Sequence, residues 1–101
     1  MQVTRKISVS ENGALQEKVN ELEYINGFIY ANIWTTNTII KIKPESGEIV
    51  GKMDLTSISD EAKSIYQGSM EMNGIAYDSI SNKVYITGKL WPKIYQIQFN
   101  H

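Results

Sequence analysis

The heptapeptide TGKLWPK, residues 87–93, sets Lys89 directly after Gly88 in a stretch otherwise made of strand-forming residues. Glycine weakens a strand and marks a bulge or a close approach of backbone. The lysine is therefore either an exposed charge that guards a sheet edge or an ammonium donor aimed at something. Glu21 and Glu23 stand two apart in NELEY, hence on one strand face, with the spacing of a carboxylate pair. Asn20 and Asn73 add carboxamides that both donate and accept hydrogen bonds. The remaining reactive inventory is short. Without cysteine there is neither a disulfide nor a thiol nucleophile. The only histidine is His101, so a nitrogen- or sulfur-rich zinc site is not expected, nor is any cofactor.

These groups must be positioned by about one small domain, since the sequence has 101 residues. Ten basic residues balance eleven acidic ones, which leaves no electrostatic footprint for nucleic acid. No apolar run reaches the roughly 18 residues of a membrane span, and MQVTRKISVSENG lacks the apolar centre of a signal peptide. Alternation with a period of two dominates. The segments 28–34, 38–43, 48–55, 83–91 and 93–99 are rich in Ile, Val, Tyr, Phe and Trp and read as strands. Asn12-Gly13 and Asn26-Gly27 supply the positive φ angles of tight hairpins. Pro44 to Gly47 reads as a type I turn closed by a left-handed glycine. One short helix is expected over 59–67, with Ser59 as its cap and Asp60 and Glu61 in its first turn.

The sequence also repeats itself. NELEYINGFIYANIWTTNTIIKIK from Asn20 aligns with NGIAYDSISNKVYITGKLWPKIYQIQ from Asn73 once two residues are added to the first hairpin of the second copy. Asn20 then falls on Asn73, Tyr24 on Tyr77, Tyr30 on Tyr85 and Ile39 on Ile94. Repeated antiparallel meanders are the signature of β-propeller blades. The expected fold class is all-β: about two propeller blades of four-stranded antiparallel meanders. Residues 2–9 form an orphan outer strand, 20–55 a first blade, 56–72 a connection with the helix, and 73–99 a second, incomplete blade. An orphan strand and an unfinished blade leave open edges, so other blades or further copies of the chain, in a strand-exchanged homo-oligomer, are expected partners.

VNELEYINGFIYANIW, GEIVGKMDL, NGIAYD and VYITGKLWPKIYQI resemble the C-terminal part of the plant- and bacterial-type glutaminyl-peptide cyclotransferases, over about residues 19–99. The resemblance implies a metal-independent five-bladed propeller that cyclises an N-terminal glutamine to pyroglutamate and releases ammonia. Its substrate is a peptide with N-terminal glutamine. The family's catalytic glutamate belongs to an earlier blade, in a Gly-Glu-Gly-Leu type motif that this sequence lacks, so the 101 residues alone are expected to be inactive. An exported protein fits the resemblance, with any targeting signal upstream, though the compartment is left open. Met70-Glu71-Met72 departs from the family, which shows apolar residues before the Asn-Gly-Ile-Ala motif.

The family pattern carries over to three residues. Asn20 would bind the carboxamide, Trp34 would wall the glutamine side chain, and Lys89 would donate to the developing oxyanion or set the ionisation of the glutamate. Asn73 is placed in the channel lining by the repeat. Gly88 is expected to let the backbone bend and Trp91 to pack. Glu21 and Glu23 align with Gly74 and Ala76, which favours a structural role for both. A non-catalytic binding or self-assembling propeller module is the alternative reading.

Overall fold

The computed structural model describes residues 2, 3 and 5–98; Phe99 and His101 lie outside them. A short hairpin, β1 (Ser10–Glu11) and β2 (Ala14–Leu15), comes first. An up-and-down meander follows, built from β3 (Val19–Ile25), β4 (Phe28–Ile33), β5 (Thr38–Ile42) and β6 (Ile49–Asp54). Helix α1 (Thr56–Ile65) connects it to a three-stranded meander, β7 (Met72–Asp78), β8 (Lys83–Gly88) and β9 (Tyr95–Ile97). The two meanders are propeller blades that pack face to face, with the innermost strands β3 and β7 side by side.

The repeat is present in the register itself. Tyr24 pairs with Ile29 as Tyr77 does with Val84, and Leu22 with Ala31 as Ile75 does with Ile86. Ile29 pairs with Ile42 as Val84 does with Ile97. Both innermost strands carry a bulge at the same place, between Val19 and Leu22 and between Met72 and Gly74. Alternation decides what each blade buries. One face of the first blade (Ile25, Tyr30, Ile39) meets Met72, Ile75, Val84 and Ile86 of the second in an apolar core shared between blades. The opposite face of the first blade (Ala31, Ile40, Ile42, Ile49) is covered in part by Val9.

The turns follow their residues. Asn26 (φ 49°) and Gly27 (φ 89°) close β3–β4, and Asn12 (φ 51°) and Gly13 (φ 82°) close β1–β2. Gly47 is left-handed at φ 78°, and a Cβ there would lie 2.0 Å from the Ser8 carbonyl, so only glycine lets the N-terminal segment lie so close.

Three expectations change. The described residues of 2–9 form no strand; pairing starts at Ser10, which makes an isolated parallel bridge to Glu48. The helix begins three residues before the expected start. Asp54 accepts hydrogen bonds from both the backbone N–H and the hydroxyl of Thr56, and so opens the helix itself. Ser59 is consequently no cap but a buried residue on the core-facing side, and Asp60 and Glu61 fall beyond the first turn. Finally, β8 stops at Gly88, not at residue 91.

Candidate active site

Both blades end their second strand in the same turn. In the first, the Thr36 N–H donates to the Ile33 carbonyl at 3.1 Å and Thr35 is left-handed at φ 71°. In the second, the Trp91 N–H donates to the Gly88 carbonyl at 3.1 Å and Leu90 is left-handed at φ 61°. Trp34 and Lys89 thus occupy the same position of equivalent turns. Each is tied by its own N–H to the residue two before the blade's asparagine: Trp34 to the Lys18 carbonyl at 2.7 Å, and Lys89 to the Glu71 carbonyl at 3.0 Å. Left-handed backbone costs a non-glycine residue about 1–2 kcal/mol, so each turn holds its tip in place against a conformational penalty.

Asn20 and Asn73 join the blades. The Asn20 Nδ2 donates to the Asn73 Oδ1 at 2.7 Å across the junction. Asn20 and Trp34 line one small cleft of about 180 Å³ with Lys18 and Val19. Asn73 lines a larger open groove of about 780 Å³ on the free face of the second blade, together with Glu21, Thr87 and Gln96. The four candidate residues therefore gather at one end of the two sheets. Lys89 lines neither of these two clefts; it stands exposed at its turn tip, level with the bulge that carries Asn73.

Gly88 has a different purpose from the one expected. A Cβ there would fall 2.2 Å from the indole of Trp91, which folds back over it. The Trp91 Nε1 donates to the Met70 carbonyl at 2.8 Å, and the ring meets Tyr95 edge-on at 5.9 Å. Trp91 is thus a packing residue that fixes the base of the Lys89 turn, while the Met70 N–H bonds to the Lys89 carbonyl at 2.9 Å. Burial pushes up the phenol of Tyr95, with Glu61 adding to the effect, and burial likewise pushes up that of Tyr30. Both are protonated at neutral pH and neither is placed as a base. Asn32 is a further polar residue of this region, outside the sequence-derived candidates; it is buried, and its Nδ2 donates to the Met72 carbonyl at 3.1 Å. An asparagine on the inward face of a strand, in register with Phe28 and Tyr30, is the signal that marks it. Among the described residues no group of three His, Cys, Asp or Glu side chains could hold a metal ion, and no helix is long and apolar enough to cross a membrane.

The sequence matches the family described as glutamine cyclotransferase over residues 1–99. It is 43% identical over 99 residues to a glutaminyl-peptide cyclotransferase of Arabidopsis thaliana, covering 97% of this chain and 31% of that protein. The fold superposes on the crystal structure of Myxococcus xanthus glutaminyl cyclase with a TM-score of 0.83 and 34% identity, over 91% of this chain and 40% of that one. The chain spans less than half the length of either relative. By sequence and by fold, it belongs to the glutamine cyclotransferase family.

Proposed function

We propose that these two blades form one wall of the pocket of a glutaminyl-peptide cyclotransferase, which converts an N-terminal glutamine to pyroglutamate. In that reaction the neutral α-amine attacks the side-chain carboxamide carbon. A C–N bond forms, the carbonyl oxygen takes up negative charge, and the old C–N bond breaks to release ammonia as a proton passes from the attacking to the leaving nitrogen. Lys89 donates to the oxyanion, where a pre-aimed cation is worth most because the charge develops only in the transition state. Asn20 hydrogen-bonds the carboxamide, with Asn73 beside it, and Trp34 supplies an apolar wall. The proton-transfer glutamate is assigned to another blade. The observation that carries this reading is the pair of equivalent turns that bear Trp34 and Lys89, each tied to the strand that supplies one member of the Asn20–Asn73 bond.

The test is to set this chain in place of the matching residues of the Arabidopsis relative and to follow ammonia release from a Gln-initiated peptide. Turnover that is lost with Lys89→Met supports the reading. A folded hybrid that binds the peptide and never turns it over would make this a binding module. The free face of the second blade, with Ile94 71% exposed, is the contact surface for a further blade, supplied by the rest of a propeller or by another copy. Light scattering at micromolar concentration tests that surface in the isolated chain: species above the 11.5 kDa monomer are expected, and a sharp monomer peak argues against association.

A further inference from the structure

The core between the blades is almost wholly apolar, and apolar packing tolerates small slips because it is not directional. Two polar ties cross it at the site end, and both end on consecutive residues of β7. Asn20 holds the side chain of Asn73, and Asn32 holds the carbonyl of Met72. The two bulges bring these groups together. In the first blade Asn32 lies opposite the bulged residues Asn20 and Glu21, and in the second Asn73 is the residue left without a partner between Met72 and Gly74. Asn32 therefore reaches from the strand beside one member of the amide pair to the backbone beside the other.

Two further observations set Asn32 apart. It is 1% exposed, and its Oδ1 is buried with no hydrogen-bond partner among the described residues. An unmatched buried acceptor keeps its full desolvation penalty, so an amide at this position is poorly explained as a stabilising core residue. The equivalent position of the second blade is Thr87, whose hydroxyl bonds within its own blade to the Lys93 carbonyl. Of these two equivalent positions, residue 32 is the one whose bond runs to the other blade.

We infer that Asn32 is a positioning residue: by holding the Met72 carbonyl at the β7 bulge, it fixes the Asn20–Asn73 pair and with it the spacing of the Trp34 and Lys89 turn tips. It touches no substrate. Its effect is on register between blades, as buried polar groups elsewhere trade stability for specificity. The role in binding rests on the proposed function; the effect on the amide pair does not.

The test separates the two. In the 101-residue chain, exchange of the Asn20 side-chain amide protons, followed by NMR, is expected to quicken about tenfold in Asn32→Leu while the melting temperature holds or rises, because an apolar group of like volume removes the unmatched oxygen. Asn32→Ala, which opens a cavity, lowers the melting temperature and serves as the stability control. Unchanged Asn20 exchange in both variants overturns the inference whatever the enzyme does. In the hybrid propeller, Asn32→Leu is expected to raise KM for a Gln-initiated peptide about tenfold with kcat within a factor of two. An unchanged KM, or a loss that tracks melting temperature across Leu and Ala, reduces Asn32 to a core residue. A hybrid inactive even with Asn32 intact counts against the proposed function and leaves the exchange result to decide whether Asn32 positions the amide pair.

Discussion

The turn at 33–36 presents an indole at its second position and the turn at 88–91 an ammonium, although their backbones share one hydrogen bond, one left-handed residue and one anchor to the innermost strand. Their bases differ as much as their tips. Position 33 is isoleucine, whereas its counterpart is Gly88, bare so that the Trp91 indole can cover it. The blade repeat thus fixes where a side chain is presented and leaves open which one. An apolar wall and a cation come from the same local structure by substitution alone, and the cation's turn needs an added aromatic plug to brace it.

The largest expected effect breaks the chemical half of that comparison. In the hybrid propeller Lys89→Met should lower kcat about 10²- to 10³-fold, the usual consequence of removing one oxyanion donor. Trp34→Ala should act mainly on KM. Equal losses in KM from both would show that the tips share a single binding role. Exchanging the two residues, Trp34→Lys with Lys89→Trp, should leave the fold intact and restore no activity, since the proposed function gives each tip a different part of the substrate.

Next comes the base of the turn. Gly88→Ala places a methyl group inside the Trp91 ring and should destabilise the chain by about 1–3 kcal/mol, as overpacking does. The urea midpoint reads this directly, and a midpoint unchanged from the parent would mean that the indole moves freely. Smaller and opposite in sign, Leu90→Gly and Thr35→Gly should each stabilise by about 0.5–1 kcal/mol, because relief of the left-handed strain outweighs the entropy of glycine. If only one of them does so, the two turns are less alike than their hydrogen bonds indicate.

The smallest effect is on acid stability. The Thr56 hydroxyl and N–H hold the Asp54 carboxyl below its ordinary 3.8, and Ser81 and the Ile80 N–H do the same for Asp78. A depressed carboxyl contributes stability that is present above its unfolded value and lost as pH falls through its folded one. Melting temperature should therefore be flat from neutrality to about pH 4 and fall below it. Asp54→Asn should flatten part of that fall at the helix start, and Asp78→Asn part of it at the β7–β8 loop, the one between Asp78 and Lys83.

Much of this was legible in the sequence because the controlling physics is local. Period-two alternation marks strands wherever one face is buried, and Asn26-Gly27 has few conformations open to it other than a tight hairpin. The matched tyrosines 30 and 85 revealed a repeat that the register then reproduced residue for residue. Contacts between distant segments were less legible. Ser59 followed by two acids has the look of a helix start, yet Asp54 reaches Thr56 first and the serine turns inward. Gly88 reads as a bend until Trp91 is seen to occupy the space beside it. Asn32 is invisible as a tie because its partner is a backbone carbonyl 40 residues away. Asn20, Trp34, Asn73 and Lys89 were picked out by the family resemblance and the repeat, not by their local context.

The two copies differ in length at a single place within the shared register. Where the first has only Asn26-Gly27 between β3 and β4, the second has residues 79–82, with Ile80 97% exposed. The turns that carry Trp34 and Lys89 have kept the same length. Length has drifted at the end of the meander away from the site and has been held at the other, so the molecule has a permissive pole and a constrained one. An epitope, a fluorophore or a new pair of chain termini is best introduced at Ile80. An insertion of equal size between Gly88 and Trp91 would detach the lysine from the framework that holds its turn.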